Sequence, residues 1–302
     1  MEIKNKNILV FGDVILDEYV FCRIIKTSHE APVPVVEIIN REYRLGGAGN
    51  VAANISSLGA SVTLVGTCGD DEFAIEITKL LKEKKISNKI IYNDKNETIV
   101  KSRIISDKKQ LLRIDKEKLY KPEKNYIIDG KYDGIIISDY AKGSVSKHMI
   151  DKLRNKAIKD NIPIFLDPKP KNKKLYHDFT TMTPNKDEAA KLLRNFNSLN
   201  KAKQFCILLK EKYNLKYSII TLAEDGMVVY DGDKFEHILA AKRDVFDITG
   251  CGDTVVALLM LAYCCTKNIF LSARFANFGA GIVGTKSGAS QVTIKEMENF
   301  DK

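Results

Sequence analysis

Residues 247–254 read Asp-Ile-Thr-Gly-Cys-Gly-Asp-Thr and stand directly before an apolar run of helical length. Gly250, Cys251 and Gly252 would present backbone N–H groups at a helix N-terminus, where unpaired donors and the helix dipole favour an anion. Asp253 lies beside them, placed to accept a proton. An anion-binding turn next to a carboxylate base is what phosphoryl transfer to a hydroxyl requires. From this segment alone, a glycine-rich turn in which Asp253 and Thr254 only cap the helix is an equally good interpretation.

Elsewhere, short apolar runs alternate with amphipathic segments, and this alternation predicts an α/β fold. Such runs joined by helices favour a mostly parallel central sheet with helices on both faces. Ligands bind such sheets at the carboxyl ends of the strands. The predicted strands are Ile8–Phe11, Val62–Val65, Ile135–Ser138, Ile164–Leu166 and Ser218–Thr221, and the predicted helices include Asn50–Leu58, Phe73–Lys84, Lys147–Lys159, Asp187–Arg194 and Ser272–Thr285.

Two stretches, at about 19–40 and 98–115, instead alternate apolar and polar residues without a helical period. This pattern predicts the strands of a separate small sheet with one face in water. Inserted between the βα units, that sheet would form a lid over the strand ends. Its exposed strands could pair with a second subunit, so we expect a homodimer through the lid.

Composition narrows the class of protein. At 302 residues the chain can fold as one large α/β domain or as one domain plus an appendage, and it carries neither a signal peptide nor an apolar run long enough to span a bilayer. We therefore expect a cytoplasmic protein without a membrane partner. The net charge of +9 comes from lysines dispersed among acids, which favours a solvated surface over nucleic-acid binding. No G-x-G-x-x-G follows the first strand, which disfavours a dinucleotide oxidoreductase. The six scattered cysteines indicate free thiols.

Together with Leu45-Gly-Gly-Ala-Gly-Asn-Val-Ala-Ala-Asn, residues 247–254 resemble the two signatures of the ribokinase-like (PfkB) carbohydrate kinases, with Cys251 replacing the usual alanine. The resemblance extends over nearly the whole chain and implies the ribokinase-like fold, ATP and Mg²⁺. Further segments are similar to the heptose 7-phosphate kinases of that family. They are Gly12-Asp-Val-Ile-Leu-Asp, Glu30-Ala-Pro-Val-Pro-Val-Val, Lys101-Ser-Arg-Ile-Ile-Ser, Gln110-Leu-Leu-Arg-Ile-Asp, Ser138-Asp-Tyr-Ala-Lys-Gly and Leu166-Asp-Pro-Lys.

This closer resemblance implies phosphorylation of the anomeric hydroxyl of D-glycero-D-manno-heptose 7-phosphate to the 1,7-bisphosphate, for ADP-heptose and lipopolysaccharide core synthesis. A kinase of another sugar or sugar phosphate is the alternative. Many such kinases are fused to a nucleotidyltransferase with a His-x-Gly-His motif, which this sequence lacks, so we expect a single kinase domain over 1–302 and a separate nucleotidyltransferase. His29 stands where the family has proline, and the loop 107–109 also differs.

The resemblance assigns roles to individual residues. Asp253 would be the base, and the amides of Gly250, Cys251 and Gly252 would hold the transferring phosphoryl group. Glu188 would orient Mg²⁺ through water. The loop before the signature can hold a potassium ion in relatives, which would place it at Asp247 and Thr249. The nucleotide-binding candidates are Asn185, Glu188, Lys169, Thr221, Ala223, Gly226 and Asn277.

Substrate candidates come from residue chemistry as well. Carboxylates such as Asp13 and Asp17, after the first strand, suit sugar hydroxyls, and guanidinium groups match a phosphate. The substrate candidates are Asp13, Asp17, Gly46, Gly47, Asn50, Arg103, Arg113 and Lys142. Structural alternatives stay open. Asn185 and Glu188 also fit a helix capping box, residues 221–226 fit a plain hairpin turn, and each basic residue fits a solvated surface charge.

Overall fold

The computed structural model describes residues 1–193, 202–240 and 247–300. Six of its strands form the predicted parallel sheet, in the order β4-β3-β1-β7-β8-β9. Their side chains alternate between two apolar layers, with Ile8 and Val10 on one side and Leu9 and Phe11 on the other. The strands are β1 (Asn7–Thr27), β3 (Ser61–Gly69), β4 (Ser87–Asn93), β7 (Gly134–Ser138), β8 (Ile164–Asp167) and β9 (Thr181–Met182).

Helices cover both faces of this sheet, as the alternation predicted. One apolar cluster contains α1, α2, α6, α7 and α8, and the other contains α3, α4 and α5. Almost every side chain of α6 is buried, because this helix packs between the sheet and α7. The helices are α1 (Ala48–Ser57), α2 (Glu72–Glu83), α3 (Lys147–Asp160), α4 (Lys186–Leu193), α5 (Ala202–Tyr213), α6 (Cys251–Thr266), α7 (Ile269–Val283) and α8 (Ile294–Met297). Arg194, predicted to end α4, lies outside the described residues.

The lid is present, but it is not a separate sheet. Strand β1 runs on for 21 residues, and its second half pairs with β2 (Pro34–Gly47) and β5 (Ile99–Ser106), while β5 pairs with β6 (Lys109–Lys116). Asp13 and Asp17 therefore lie inside β1 rather than after it. Their carboxylates are paired within the fold, so the strand continues through residues whose type suggested its end.

Ser218–Thr221 (β10) also differs from its prediction as a parallel strand. Its regular partner is β11 (Met227–Tyr230), which pairs in turn with β12 (Phe235–Ile238) in an antiparallel three-stranded sheet. A lone parallel bridge joins Thr221 to Asn185, so the small sheet extends the edge of the central one. In the described part of the chain no helix is long and apolar enough to cross a membrane.

Candidate active site

Asp253 lies in the first turn of α6 and is almost completely buried. Asn50 Nδ2 donates a hydrogen bond to one of its carboxylate oxygens at 2.8 Å, and Tyr140 Oη donates to the other at 2.8 Å. Burial raises the pKa of Asp253 to about 6, although both hydrogen bonds act to lower it. The carboxylate is thus ionised at neutral pH and more basic than an ordinary aspartate, which suits proton abstraction.

The turn before Asp253 has the form of an anion site. Gly250 ends the loop with a φ of +79°, and the first α-helical hydrogen bond runs from Thr254 N to Gly250 O at 3.0 Å. The amides of Gly252 and Asp253 come before that bond in the helix. A Cβ added to Gly252 would meet no atom within 4 Å, so there is open space beside this turn.

The structure differs from two expectations about this turn. No side chain caps α6, because Gly250 occupies the N-cap position, so the interpretation of Asp253 and Thr254 as caps is wrong. The amide of Cys251, predicted to bind the phosphoryl group, donates within the turn to Ile248 O at 3.2 Å. Burial, reinforced by the nearby carboxylates of Asp247 and Asp253, raises the pKa of the Cys251 thiol to about 11, so the thiol is protonated at neutral pH.

All six cysteines are free, as their spacing indicated.

Asp13 is fully buried, and its carboxylate accepts three backbone N–H groups. The donors are the amides of Tyr140 at 2.8 Å, Lys142 at 3.0 Å and Ser144 at 3.0 Å. These bonds fix the loop after β7, including Tyr140, whose hydroxyl contacts Asp253. In this structure Asp13 orders the walls of the site.

Asp17 forms a buried ion pair with Arg103, with 2.6 Å between Oδ1 and Nη1. A Cβ on Gly46 would lie 2.6 Å from the Asp17 carboxylate, and one on Gly47 would lie 2.5 Å from the carbonyl of Asp13. The glycine pair therefore lets β2 lie directly against the Asp17 carboxylate and the Asp13 backbone carbonyl of β1, since any side chain there would displace them.

Strand register defines which lid residues face the site. Asp17 lies opposite Lys101 in β5, and Tyr19 opposite Arg103, which lies opposite Arg113 in β6. We call this the inner lid face, and it consists of Asp17, Tyr19, Lys101, Arg103 and Arg113. Arg113 is half exposed and pairs with Asp115 at 2.9 Å. Lys142, predicted to contact the substrate, pairs with Glu117 at 2.5 Å.

The sequence analysis missed Lys101. Its Nζ lies 5.4 Å from the centre of the Tyr140 ring, and burial lowers its pKa. No carboxylate of the described residues lies within 4.0 Å of this ammonium group. A half-buried cation that no carboxylate contacts directly, and whose pKa is lowered by burial although Asp17 and Asp115 act to raise it, favours an anionic ligand close to Asp253. The period-two alternation that places Lys101 on the same face as Arg103 could have identified it.

On the nucleotide side, Asn185 and Glu188 form the capping box that was the structural alternative. Asn185 N donates to Glu188 at 3.1 Å, and Glu188 N donates to Asn185 Oδ1 at 2.9 Å. The same Glu188 carboxylate accepts Lys169 Nζ at 2.9 Å. Asp167, also overlooked, lies nearby. Burial and then the charges of Glu188 and Asp253 raise its pKa well above the usual range.

Residues 221–226 form a hairpin turn between β10 and β11. Ala223 has a φ of +52° and Gly226 one of +83°, and a Cβ on Gly226 would lie 2.0 Å from Ile238 O. Asn277, on α7, donates from Nδ2 to Leu239 O at 2.8 Å. Both the turn and Asn277 thus contact the segment after β12. These two predicted nucleotide-binding elements therefore lie close together, at one edge of the site.

Asp247 joins the loop before α6 to the loop after α7. Its carboxylate accepts the amide of Thr249 at 2.9 Å and that of Gly288 at 2.8 Å. Burial acts to raise its pKa, but the Thr249 hydroxyl, the two amides and the charge of Arg103 outweigh burial, and the pKa lies below the usual range. Asp247 is therefore a persistent anion.

Comparison with known proteins decides the family. The family model described as pfkB family carbohydrate kinase matches residues 5–296. The chain belongs to the pfkB family of carbohydrate kinases. It is thus a sugar kinase, as the sequence motifs indicated.

Its relatives carry related names. The chain is 40% identical to the bifunctional protein HldE of Campylobacter concisus and 36% identical to that of Sulfurimonas denitrificans, over 98% and 97% of its length. It spans only 64–65% of the length of these two proteins. It is also 33% identical to the D-beta-D-heptose 7-phosphate kinase of Bordetella bronchiseptica, over 98% of this chain and 96% of that protein.

Solved structures confirm the ribokinase-like fold. Arabidopsis thaliana ribokinase complexed with ribose and ATP has a TM-score of 0.76 at 18% identity, with 99% of each chain covered. Escherichia coli phosphofructokinase-2 in complex with substrates and products has a TM-score of 0.75 at 14% identity, with 98% of each chain covered. At these identities the likeness concerns the fold alone.

Proposed function

We propose that this kinase transfers the γ-phosphoryl group of ATP to the anomeric hydroxyl of D-glycero-D-manno-heptose 7-phosphate. The observation that carries the proposal is the buried Asp253 carboxylate, held by Asn50 and Tyr140 at the N-terminus of α6. The name of the relative in Bordetella supports the heptose, and the ribokinase complexed with ATP supports the nucleotide.

In the proposed reaction Asp253 accepts the proton of the sugar hydroxyl as its oxygen attacks the γ-phosphorus. The bond from that phosphorus to the β–γ bridging oxygen breaks, and ADP leaves. The amides at the start of α6, with Gly250 shaping the turn, stabilise the charge on the transferring group. Because Asp253 is almost completely buried, the proton passes from the sugar rather than from solvent.

The inner lid face is the proposed site of the 7-phosphate. Lys101 has no carboxylate partner among the described residues, whereas Arg103 is neutralised by Asp17 and Arg113 by Asp115. A dianionic phosphate would supply the direct ionic contact that Lys101 lacks, and a planar guanidinium such as Arg113 could turn from Asp115 to the phosphate. Substrates without a distal phosphate leave Lys101 without such a direct contact.

Magnesium fits the acidic edge formed by Asp167 and Glu188. Burial and then the Glu188 charge raise the pKa of Asp167, and a divalent cation beside the two carboxylates would offset their repulsion. In the described residues no cluster of three or more acidic, histidine or cysteine side chains could hold a metal alone. Mg²⁺ retains most of its waters and shares ligands with nucleotide phosphates, so two carboxylates are sufficient. The ion would neutralise phosphate charge during transfer.

A monovalent cation fits beside Asp247 and Thr249. The Asp247 carboxylate accepts two backbone N–H groups and interacts with the Thr249 hydroxyl, which leaves roughly one of its four lone-pair sites free. No Lys or Arg nitrogen of the described residues lies within 4.0 Å of it. We therefore expect K⁺ to bind there and to raise activity above that in a sodium buffer.

A homodimer through the lid is part of the proposal. On the face of the lid opposite the inner lid face, Leu112 lies opposite Ile104, and Leu112 and Ile114 are 56% and 52% exposed. A second copy would remove this apolar strip from water, which favours association. Replacement of Leu112 and Ile114 by aspartate should give a monomer in sedimentation experiments, whereas an unchanged mass for both would exclude this interface.

We further infer that residues 1–302 act as one kinase domain and that a nucleotidyltransferase consumes the 1,7-bisphosphate on the way to ADP-heptose. The bifunctional relatives, which are longer than this chain, support a second activity in the same sequence of reactions.

The test is ATP consumption across a matched sugar panel. Heptose 7-phosphate, the unphosphorylated heptose, fructose 6-phosphate and ribose separate the contribution of the sugar from that of its phosphate. The proposal predicts the highest kcat/KM for heptose 7-phosphate. If another sugar is phosphorylated efficiently and heptose 7-phosphate is not, the alternative kinase of another sugar replaces it.

A further inference from the structure

Gln291 precedes α8, remote in sequence from the signature loop, yet its side chain reaches the partner of the base. Its Nε2 donates to Asn50 Oδ1 at 3.1 Å, and Asn54 Nδ2 lies 3.4 Å from the same oxygen. The opposite end of the Asn50 amide, Nδ2, donates to Asp253. Asn50 is fully buried, so its amide has no water with which to exchange partners.

The orientation of the Asn50 amide matters because its two ends have similar shape and opposite polarity. A rotation by half a turn about χ2 would place Oδ1 against the Asp253 carboxylate, where it repels the ionised form and accepts a hydrogen bond only from the protonated form. The flipped amide would also direct its NH₂ group at the donors of Gln291 and Asn54. Those donors therefore stabilise the orientation that keeps Asp253 ionised.

Lys84 determines the orientation of Gln291 in turn. Lys84 Nζ donates to Gln291 Oε1 at 2.9 Å, and an ammonium group can only donate. Gln291 must then direct its own NH₂ at Asn50, and Asn50 must direct its NH₂ at Asp253. The backbone before Gln291 is anchored too, because Ala289 N donates to Tyr19 Oη at 3.0 Å and Arg44 donates to Ser287 O at 2.5 Å.

We propose that Gln291 is a positioning residue for the base, locking Asn50 in the orientation that donates to Asp253. The series of hydrogen bonds Lys84–Gln291–Asn50–Asp253 can run in only one donor-to-acceptor direction, because the lysine at its outer end can only donate. This inference rests on the proposed role of Asp253 as base and adds the residue that keeps the base ionised.

The experiment compares kcat as a function of pH for wild type, Gln291→Leu and Gln291→Glu. Leucine removes the donor, and glutamate keeps the length and the contact with Lys84 but presents an acceptor to Asn50. In both variants the acidic limb of the profile should move up by about half to one pH unit, because the flipped Asn50 favours protonated Asp253. At pH 7 kcat should fall about twofold and recover at pH 9. The KM for ATP should not change.

Gln204→Leu, at an exposed position of α5, is the matched control and should retain the wild-type profile. A wild-type acidic limb in a folded Gln291→Leu or Gln291→Glu protein overturns the positioning role. A loss of kcat equal at pH 7 and pH 9 also overturns it, since that result reports a structural defect. An active Asp253→Asn protein would instead reject the base itself, so failure of the two proposals is distinguishable.

Discussion

Tyr140→Phe removes one of the two hydrogen bonds on the proposed base and leaves the ring in place. The phenol donates to the Asp253 carboxylate at 2.8 Å in a buried site, and this bond lowers the pKa of Asp253 against the effect of burial. The ring contact with Lys101 is retained, because phenylalanine also attracts a cation through its face. The substitution therefore isolates the hydrogen bond.

The size of the effect follows from the bond. A hydrogen bond to a charged group contributes about 1.5–3 kcal/mol, and one pKa unit corresponds to about 1.4 kcal/mol. Loss of the bond should therefore raise the pKa of Asp253 from about 6 to roughly 7–8. Since the base acts only when ionised, the acidic limb of kcat moves to higher pH. At pH 7 activity should fall about two- to tenfold, with recovery by pH 9.

The assay is a pH series of kcat at saturating ATP and sugar, with Tyr126→Phe as the control. Tyr126 is also buried, but its hydroxyl bonds to Thr67 at 2.6 Å, so its loss should leave the profile unchanged. An unshifted limb in a folded Tyr140→Phe protein would refute the argument that this phenol determines the basicity of Asp253.

Two further predictions concern the lid and the signature loop. Lys101→Met should raise the KM for the phosphorylated sugar about tenfold or more without changing the KM for ATP, because one charged contact to phosphate is lost; equal KM values for Lys101→Met and wild type would place the phosphate elsewhere. Gly250→Ala should lower the free energy of unfolding by about 1–2 kcal/mol in chemical denaturation, because alanine is strained at a φ of +79° and would lie 2.6 Å from Asn50 Nδ2. Gly252→Ala is its matched control, since its Cβ meets open space. This variant should lose no stability but lower kcat by occupying the room beside the turn, and equal stability of the two alanine variants would contradict this account.

The sequence predicted the parallel sheet because buried strands are continuous apolar runs, whereas the helices that connect them repeat apolar residues with a helical period. The folded protein has strands and helices at the positions that these two patterns indicated. It did not predict that β1 continues into the lid. Asp13 and Asp17 look like the polar end of a strand, and only their distant partners, the 140–144 amides and Arg103, allow the strand to continue.

The signature loop and its aspartate could be identified from the local sequence, but the groups that adjust the pKa of that aspartate could not. Tyr140 and Asn50 are 113 and 203 residues away from Asp253 in the sequence. Gln291 belongs to no recognisable sequence motif, and in our proposal it affects Asp253 only through Asn50. Lys101 was within reach of sequence reasoning, because the alternation of the lid strand places it on the same face as Arg103.

The turnover of Asp253→Asn on heptose 7-phosphate and ATP tests the central claim most directly. Asparagine keeps the shape of the side chain and cannot accept the proton, so kcat should fall by about 10²–10⁴-fold. ATP binding measured by calorimetry should stay within about twofold of wild type, since Asp253 contacts the sugar hydroxyl in this mechanism. An Asp253→Asn enzyme with near wild-type kcat would contradict the account.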